Sequence, residues 1–203
     1  KDDLTKMKAT VLELVYQNSM RIGSKLGSTM VDGVATDTFG LTFFQRKHVK
    51  ILGNGTVVKV EYPGKAAQMQ TQVVKAKNNP KYQIAINNFI SYIRNKKPND
   101  YIFTLTANGK QVKFTAAMAN AYLKTIVTIK GFTIHKFRHA KANYLAKPIL
   151  AACPLLGKNN TFAEVRDWFN ESMKPVGEAL GHFKSGETTG TTAIKSYIDP
   201  KMS

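Results

Sequence analysis

The chain has 203 residues, 43% hydrophobic and 21% charged, the proportions of a globular protein with a core of ordinary size. Its 30 Lys and Arg against 13 Asp and Glu give a formal charge of +17, an excess that favours a polyanionic partner, most simply nucleic acid. Cys153 is the single cysteine, which excludes an internal disulfide and fits a reducing compartment; there is also no bilayer-length apolar run, no Cys/His cluster with zinc-ligand spacing and no GxxxxGK[ST] loop to support ATP use.

Leu4, Met7, Val11, Leu12 and Val15 predict a helix over 4–20, running into Met20-Arg21-Ile22-Gly23. The stretch 24–37 is polar and Gly-containing and reads mostly as loop. Residues 41–75 read as β structure. Asn54-Gly55 is a hairpin turn signal, with Val49 and Ile51 before it and Val58, Val60 and Tyr62 alternating after it. A second turn at Pro63-Gly64 leads to a third strand over 68–74, giving a small meander with Lys65 at its tip. The rest reads as mainly helical. Ile84, Ile86, Phe89, Ile90 and Ile93 mark a helix over 82–95; Asn108-Gly109 turns the chain before a helix near 114–128, ended by Gly131. Another helix begins near Thr133. Thr161 with Glu164 matches a capping box, and Pro175 should break or restart the helix that follows it. Residues 182–190 are polar and read as flexible, before a short final helix over 191–198. The expected fold is α+β: a mainly helical domain with a small three-stranded antiparallel sheet near its N-terminal third. With no clear linker, 1–203 reads as one domain. It opens without Met and enters a helix almost at once, so a trimmed fragment is expected.

Three places suggest chemistry. His135 and Arg138 lie at i and i+3 on one helix face, and a guanidinium presents planar donors to phosphate oxygens. The plainer reading is a basic surface helix. Gly181-His182 follows the apolar stretch Val176 to Leu180, and a histidine there would donate to a phosphate oxygen or simply be structural. Tyr197 lies in the basic segment Lys195-Ser196-Tyr197-Ile198-Asp199-Pro200. A phenol of pKa about 10 is a weak nucleophile at neutral pH unless nearby cations favour the phenolate, and a packing role is the alternative. Lys47, Lys50, Lys136 and Lys141 fit contacts to a phosphate backbone, or a solvated face.

The ordered set resembles the type IB DNA topoisomerases, the poxvirus-like and bacterial ones most closely, a superfamily shared with the tyrosine recombinases. Met20-Arg21-Ile22-Gly23-Ser24 looks like their first arginine motif, followed by Phe39-Gly40-Leu41-Thr42 and Arg46-Lys47-His48-Val49. Tyr62-Pro63-Gly64-Lys65 looks like their lysine hairpin, and Phe132-Thr133-Ile134-His135-Lys136-Phe137-Arg138 like the second arginine motif. Leu180-Gly181-His182 and Lys195 to Pro200 complete the order over about residues 20 to 200. Three features depart from the pattern. His135 stands where these topoisomerases usually carry lysine and recombinases histidine. His182 and Tyr197 stand 15 positions apart, more than in compact members, with the Gly- and Thr-rich insert 186–192 between them. The small N-terminal domain that completes the DNA clamp in this family is missing from the chain.

The resemblance implies that Tyr197 attacks a DNA phosphodiester to give a 3′-phosphotyrosyl link, relaxing supercoils by transient single-strand cleavage and religation without ATP or metal. Arg21, Arg138 and His182 are the implied donors to the phosphate oxygens and Lys65 the implied general acid, with His135 and Asn143 as supporting candidates. No cofactor is expected. The expected partner is double-stranded DNA, bound by a monomer, with no membrane. The expected location is inside the cell, wherever the DNA is, in a bacterial cytoplasm or nucleoid or a virus-infected cell. The alternative within the resemblance is a tyrosine recombinase or integrase performing site-specific strand exchange, which His135 favours. A different class is a DNA-binding protein with a decayed site.

Overall fold

A computed structural model describes residues 2–23, 26–76, 78–107, 109–154, 160–181, 183–184, 187–188 and 196–198. Its contacts gather into two compact units, Lys1–His135 and Lys136–Ser203. The fold class is α+β.

In the first unit, α1 (Asp3–Asn18) starts where the Asp2 carboxylate accepts from the Thr5 backbone N–H at 2.6 Å. It stops where Ser19 turns left-handed at φ 54°. Its buried face carries Met7, Val11, Leu12, Leu14 and Val15. The stretch read as loop is instead a hairpin, β1 (Gly27–Val31) and β2 (Val34–Thr38), paired from Gly27↔Thr38 to Val31↔Val34. Asp32 and Gly33 both have positive φ, 49° and 78°, which matches the right-handed twist of paired strands. The flanking residues are polar or exposed on both faces, so no apolar alternation marks them as strands.

Two single 3-10 turns, Leu41–Phe43 and Arg46–His48, lead into the expected meander. Strands β3 (Val49–Leu52), β4 (Val57–Pro63) and β5 (Met69–Val74) pair antiparallel in that order. Along β4 the inward residues Val58, Val60 and Tyr62 are buried, as period-2 alternation requires. Asn54 sits at φ 52° in the first turn, and Lys65–Ala67 forms a 3-10 turn between β4 and β5.

Helix α2 (Pro80–Arg94) is capped by Asn79, has Pro80 in its first turn, and packs Ile86, Phe89, Ile90 and Ile93 into the core beside α1. Of the turn expected at 108–109, Gly109 has φ 72° and residue 108 lies outside the described residues; on either side are strands that were not expected, β6 (Thr104–Ala107) and β7 (Lys110–Lys113), paired antiparallel. Helix α3 (Ala116–Ile126), capped by Thr115, ends with Val127 already extended. Gly131 is therefore not its stop. With φ 75° it turns the chain between α3 and the helix that follows.

That helix, α4 (His135–Ala151), opens at the division between the units, which is why no linker composition marks the boundary. In the second unit the Thr161–Glu164 capping box starts α5 (Phe162–Ser172), and Pro175 lies in the first turn of α6 (Lys174–Ala179), as expected. Strands β8 (Phe183–Lys184) and β9 (Glu187–Thr188) pair within the stretch read as flexible. Ser196 and Tyr197 are helical; the remainder of the expected last helix, 191–195, lies outside the described residues. Ala142, Ala146, Met173, Val176, Leu180 and Tyr197 form the buried apolar cluster of this unit. Among the described residues no helix is long and apolar enough to cross a membrane.

Candidate active site

In the first unit, three residues singled out from the sequence line one open pocket of about 430 Å³: Arg21, Lys65 and His135. Its other walls are Ile22, Gly23, Gly27, Thr38, Phe39 and Gly40. Arg21 is held there by a backbone crossing. Leu41 N–H donates to the Arg21 carbonyl at 2.7 Å, Thr42 N–H to the Ile22 carbonyl at 2.9 Å, and the Thr42 hydroxyl to the Gly23 carbonyl at 2.8 Å. The crossing needs two glycines face to face. A Cβ on Gly23 would stand 2.9 Å from the Gly40 Cα, and Gly23 itself has φ 77°. This is the physical content of the paired motifs Met20-Arg21-Ile22-Gly23 and Phe39-Gly40-Leu41-Thr42.

Lys65 is exposed at the tip between β4 and β5. Its turn is closed by Gly64 N–H donating to the Gln68 carbonyl at 2.8 Å, and Phe39 N–H donates to the Pro63 carbonyl at 2.8 Å, joining the lysine turn to the arginine crossing. His135 is exposed at the first turn of α4. An ammonium, a guanidinium and an imidazole around one pocket can bind and neutralise an anionic group such as a phosphodiester.

Behind Phe39 lies His48, which sequence reading placed only in a motif. Its ring meets Phe39 edge-on at 4.4 Å, and its Nδ1 accepts from the Gln45 backbone N–H at 3.1 Å. Burial first, and the neighbouring Lys47 second, lower its pKa to about 4. His48 is thus a neutral wedge supporting the pocket wall.

In the second unit, Arg138 is buried at 3% exposure and donates from Nη2 to the Leu180 carbonyl at 2.6 Å, next to the Gly181-His182 pair. His182 itself lies outside the described residues. Tyr197 is 6% exposed, with the Arg138 guanidinium carbon 5.5 Å from its ring centre. Asn143 Nδ2 donates to the Tyr197 carbonyl at 3.3 Å. His139, which sequence reading did not single out, also bonds the Tyr197 backbone, and its ring lies tilted against the phenol at 4.8 Å. The overlooked signal was spacing: His139 and Asn143 stand at i and i+4 on α4. Burial, Lys136 and Arg138 all push the His139 pKa down, against a raising effect of the bond to Tyr197.

The four lysines proposed for DNA differ in their tethers. Lys47 Nζ donates to Asn99 Oδ1 at 3.2 Å, and Lys50 lies 3.6 Å from a Glu61 carboxylate oxygen. Lys141 sits over the Tyr144 ring at 5.6 Å, and Lys136 is exposed on α4.

Residues 1–202 match the family described as eukaryotic DNA topoisomerase I, catalytic core. No curated protein matches the chain.

Proposed function

Since this chain belongs to the family of the eukaryotic DNA topoisomerase I catalytic core, a family of DNA-binding type I topoisomerases, we propose that it works by the type IB route, with Tyr197 as nucleophile. The phenolic oxygen attacks a backbone phosphorus, the bond to the 5′ oxygen breaks, and a 3′-phosphotyrosyl ester forms. The freed 5′-hydroxyl later attacks the same phosphorus and expels the tyrosine. Two transesterifications of nearly equal energy replace one hydrolysis, so the reaction needs no ATP. Between them the cut strand end rotates and supercoils relax.

Each charged residue has a task in this scheme. Arg21, Arg138 and His182 donate to the non-bridging oxygens, where negative charge grows; losing one such donor is expected to slow the reaction by about 100-fold or more. Lys65 delivers a proton to the departing 5′ oxygen, whose alkoxide is otherwise a poor leaving group. His135 stands on the same pocket and adds a further donor. These fixed cations take the part a metal ion plays elsewhere, so relaxation is expected to persist in EDTA. The chain acts as a monomer on double-stranded DNA, and Lys47, Lys50, Lys136 and Lys141 track its phosphates.

The observation that carries this reading is the shared pocket of Arg21, Lys65 and His135, three residues up to 114 positions apart in sequence whose side chains all suit a phosphodiester. The test is plasmid relaxation without ATP and with EDTA, run beside Tyr197→Phe. The expected result is relaxation by the wild type, none by the variant, and a covalent adduct at the 3′ side of the cut. Relaxation by Tyr197→Phe would remove the assignment of the nucleophile. A requirement for paired specific sites would turn the reading towards a recombinase.

A further inference from the structure

The segment that carries Tyr197 is fastened to α4 through a main-chain carbonyl. That carbonyl accepts from Asn143 Nδ2 at 3.3 Å, and His139 bonds it as well. The imidazole and phenol rings lie 4.8 Å apart, tilted by 39°. His139 and Asn143 occupy successive turns of one helix face, and Arg138 sits on the same turn as His139. We infer that His139 is a positioning residue for the nucleophile: together with Asn143 it fixes Tyr197 to the helix that carries Arg138. This rests on the roles proposed above for Tyr197 and Arg138.

The physical need is clear from the chain. Tyr197 stands 58 positions beyond His139 in the sequence, so its place against α4 is set by contacts and not by the local chain. Nucleophilic attack requires the reacting atoms at about 3–3.5 Å and in line, and an error of about 1 Å costs on the order of 100-fold in rate. Two donors on one carbonyl and a ring face against the phenol supply that location. The hold falls on main chain and ring, so it does not consume the phenolic oxygen. It also ties the tyrosine to Arg138, the group assigned to the phosphate, so nucleophile and oxyanion donor share one rigid support. Burial and the nearby Lys136 and Arg138 favour the neutral imidazole, which has one N–H to give and needs no counter-ion beside an apolar cluster.

The experiment uses the full chain and a nicked duplex whose cleaved end diffuses away, so that covalent adduct accumulates in a single turnover. His139→Ala, His139→Gln, His139→Phe and Tyr197→Phe are compared at saturating DNA, and DNA affinity is measured separately in a Tyr197→Phe background. The expected result is a rate of adduct formation reduced about 10- to 100-fold in His139→Ala, with affinity within about two-fold of the parent. His139→Gln, which keeps a donor, should recover more of the rate than His139→Phe, which keeps only the ring. A normal rate in His139→Ala, with Tyr197→Phe inactive, overturns the positioning role alone. Adduct formation by Tyr197→Phe overturns the reading on which it rests. Should His139→Ala fail to fold, equal and normal rates in the Gln and Phe variants overturn the inference in the same way.

Discussion

Gly23 and Gly40 cross with their backbones in contact: a methyl group on Gly40 would stand 2.5 Å from the Cα and 2.6 Å from the nitrogen of Gly23. Every atom it would meet is main chain, so no side chain can move aside. Gly40→Ala must therefore push the two segments apart and loosen the bond between Leu41 N–H and the Arg21 carbonyl. We expect a loss of about 2–4 kcal/mol in urea unfolding, the range of severe overpacking, together with slower DNA cleavage because Arg21 shifts. An unchanged unfolding midpoint would show that the crossing tolerates a side chain.

His48 makes the fold acid-sensitive within a defined window. Its pKa is about 4 when folded against an ordinary 6.5, so between these values the unfolded chain binds more protons. Its contribution is complete above pH 6.5, declines as pH falls towards 4, and changes no further below that. The loss is on the order of 2 kcal/mol, since the ring is not wholly shut off from solvent. His48→Phe should flatten the stability profile between pH 6.5 and 4. A profile parallel to that of the wild type would contradict this.

Lys113 is clamped between aromatic rings, with Nζ 2.9 Å from the centre of Phe43 and 4.5 Å from that of Tyr101. Burial lowers its pKa, as expected for an ammonium taken partly from water. The clamp fastens β7 to the turn that follows Gly40. Lys113→Met and Phe43→Leu should each destabilise the protein, with a coupling of about 0.5–2 kcal/mol in a double-mutant cycle. Additive effects would show that the clamp contributes only packing.

DNA binding should weaken steeply with salt, and each lysine that truly meets a phosphate should carry about 0.9 of the slope of log K against log salt. Lys136→Ala and Lys47→Ala are expected to lower the slope. Lys50→Ala should lower it less, because Lys50 already lies 3.6 Å from Glu61. Filter binding or anisotropy from low to moderate salt would measure the slopes, and identical slopes in all variants would place these lysines off the DNA path.

Patterns of period 2 and 3.6 were strong where one face is buried. Val58, Val60 and Tyr62 announced β4, and the apolar residues of 82–95 announced α2. The hairpins at 27–38 and 104–113 escaped because their strands are short and largely exposed, so solvent removes the alternation that betrays a strand. Asp32-Gly33 carries a hairpin turn signal that the reading of 24–37 as loop passed over. The division at His135 was hidden because it falls on the first residue of a helix rather than in a loop. Arg21 and Lys65 were legible as candidates in one ordered set with Arg138, His182 and Tyr197, and His135 as a supporting one, because residue types in order carry chemistry even when their spacing is long. His139 was not, since its part depends on a carbonyl 58 positions further along the chain.

The hairpin of β1 and β2 has an electrostatic consequence. Residues 26–38 contain Asp32 and Asp37 and neither Lys nor Arg, in a chain whose formal charge is +17. Its base, at Gly27 and Thr38, lines the same pocket as Arg21 and Lys65. An approaching duplex therefore meets attraction on one side of that opening and repulsion on the other, so encounters are sorted by orientation before any contact forms. Asp32→Asn should quicken association at low ionic strength, with the gain fading near 1 M salt, where charges are screened within about 3 Å. The chemical step at saturating DNA should stay as it was. That outcome would mark the hairpin as a guide to the direction from which DNA arrives.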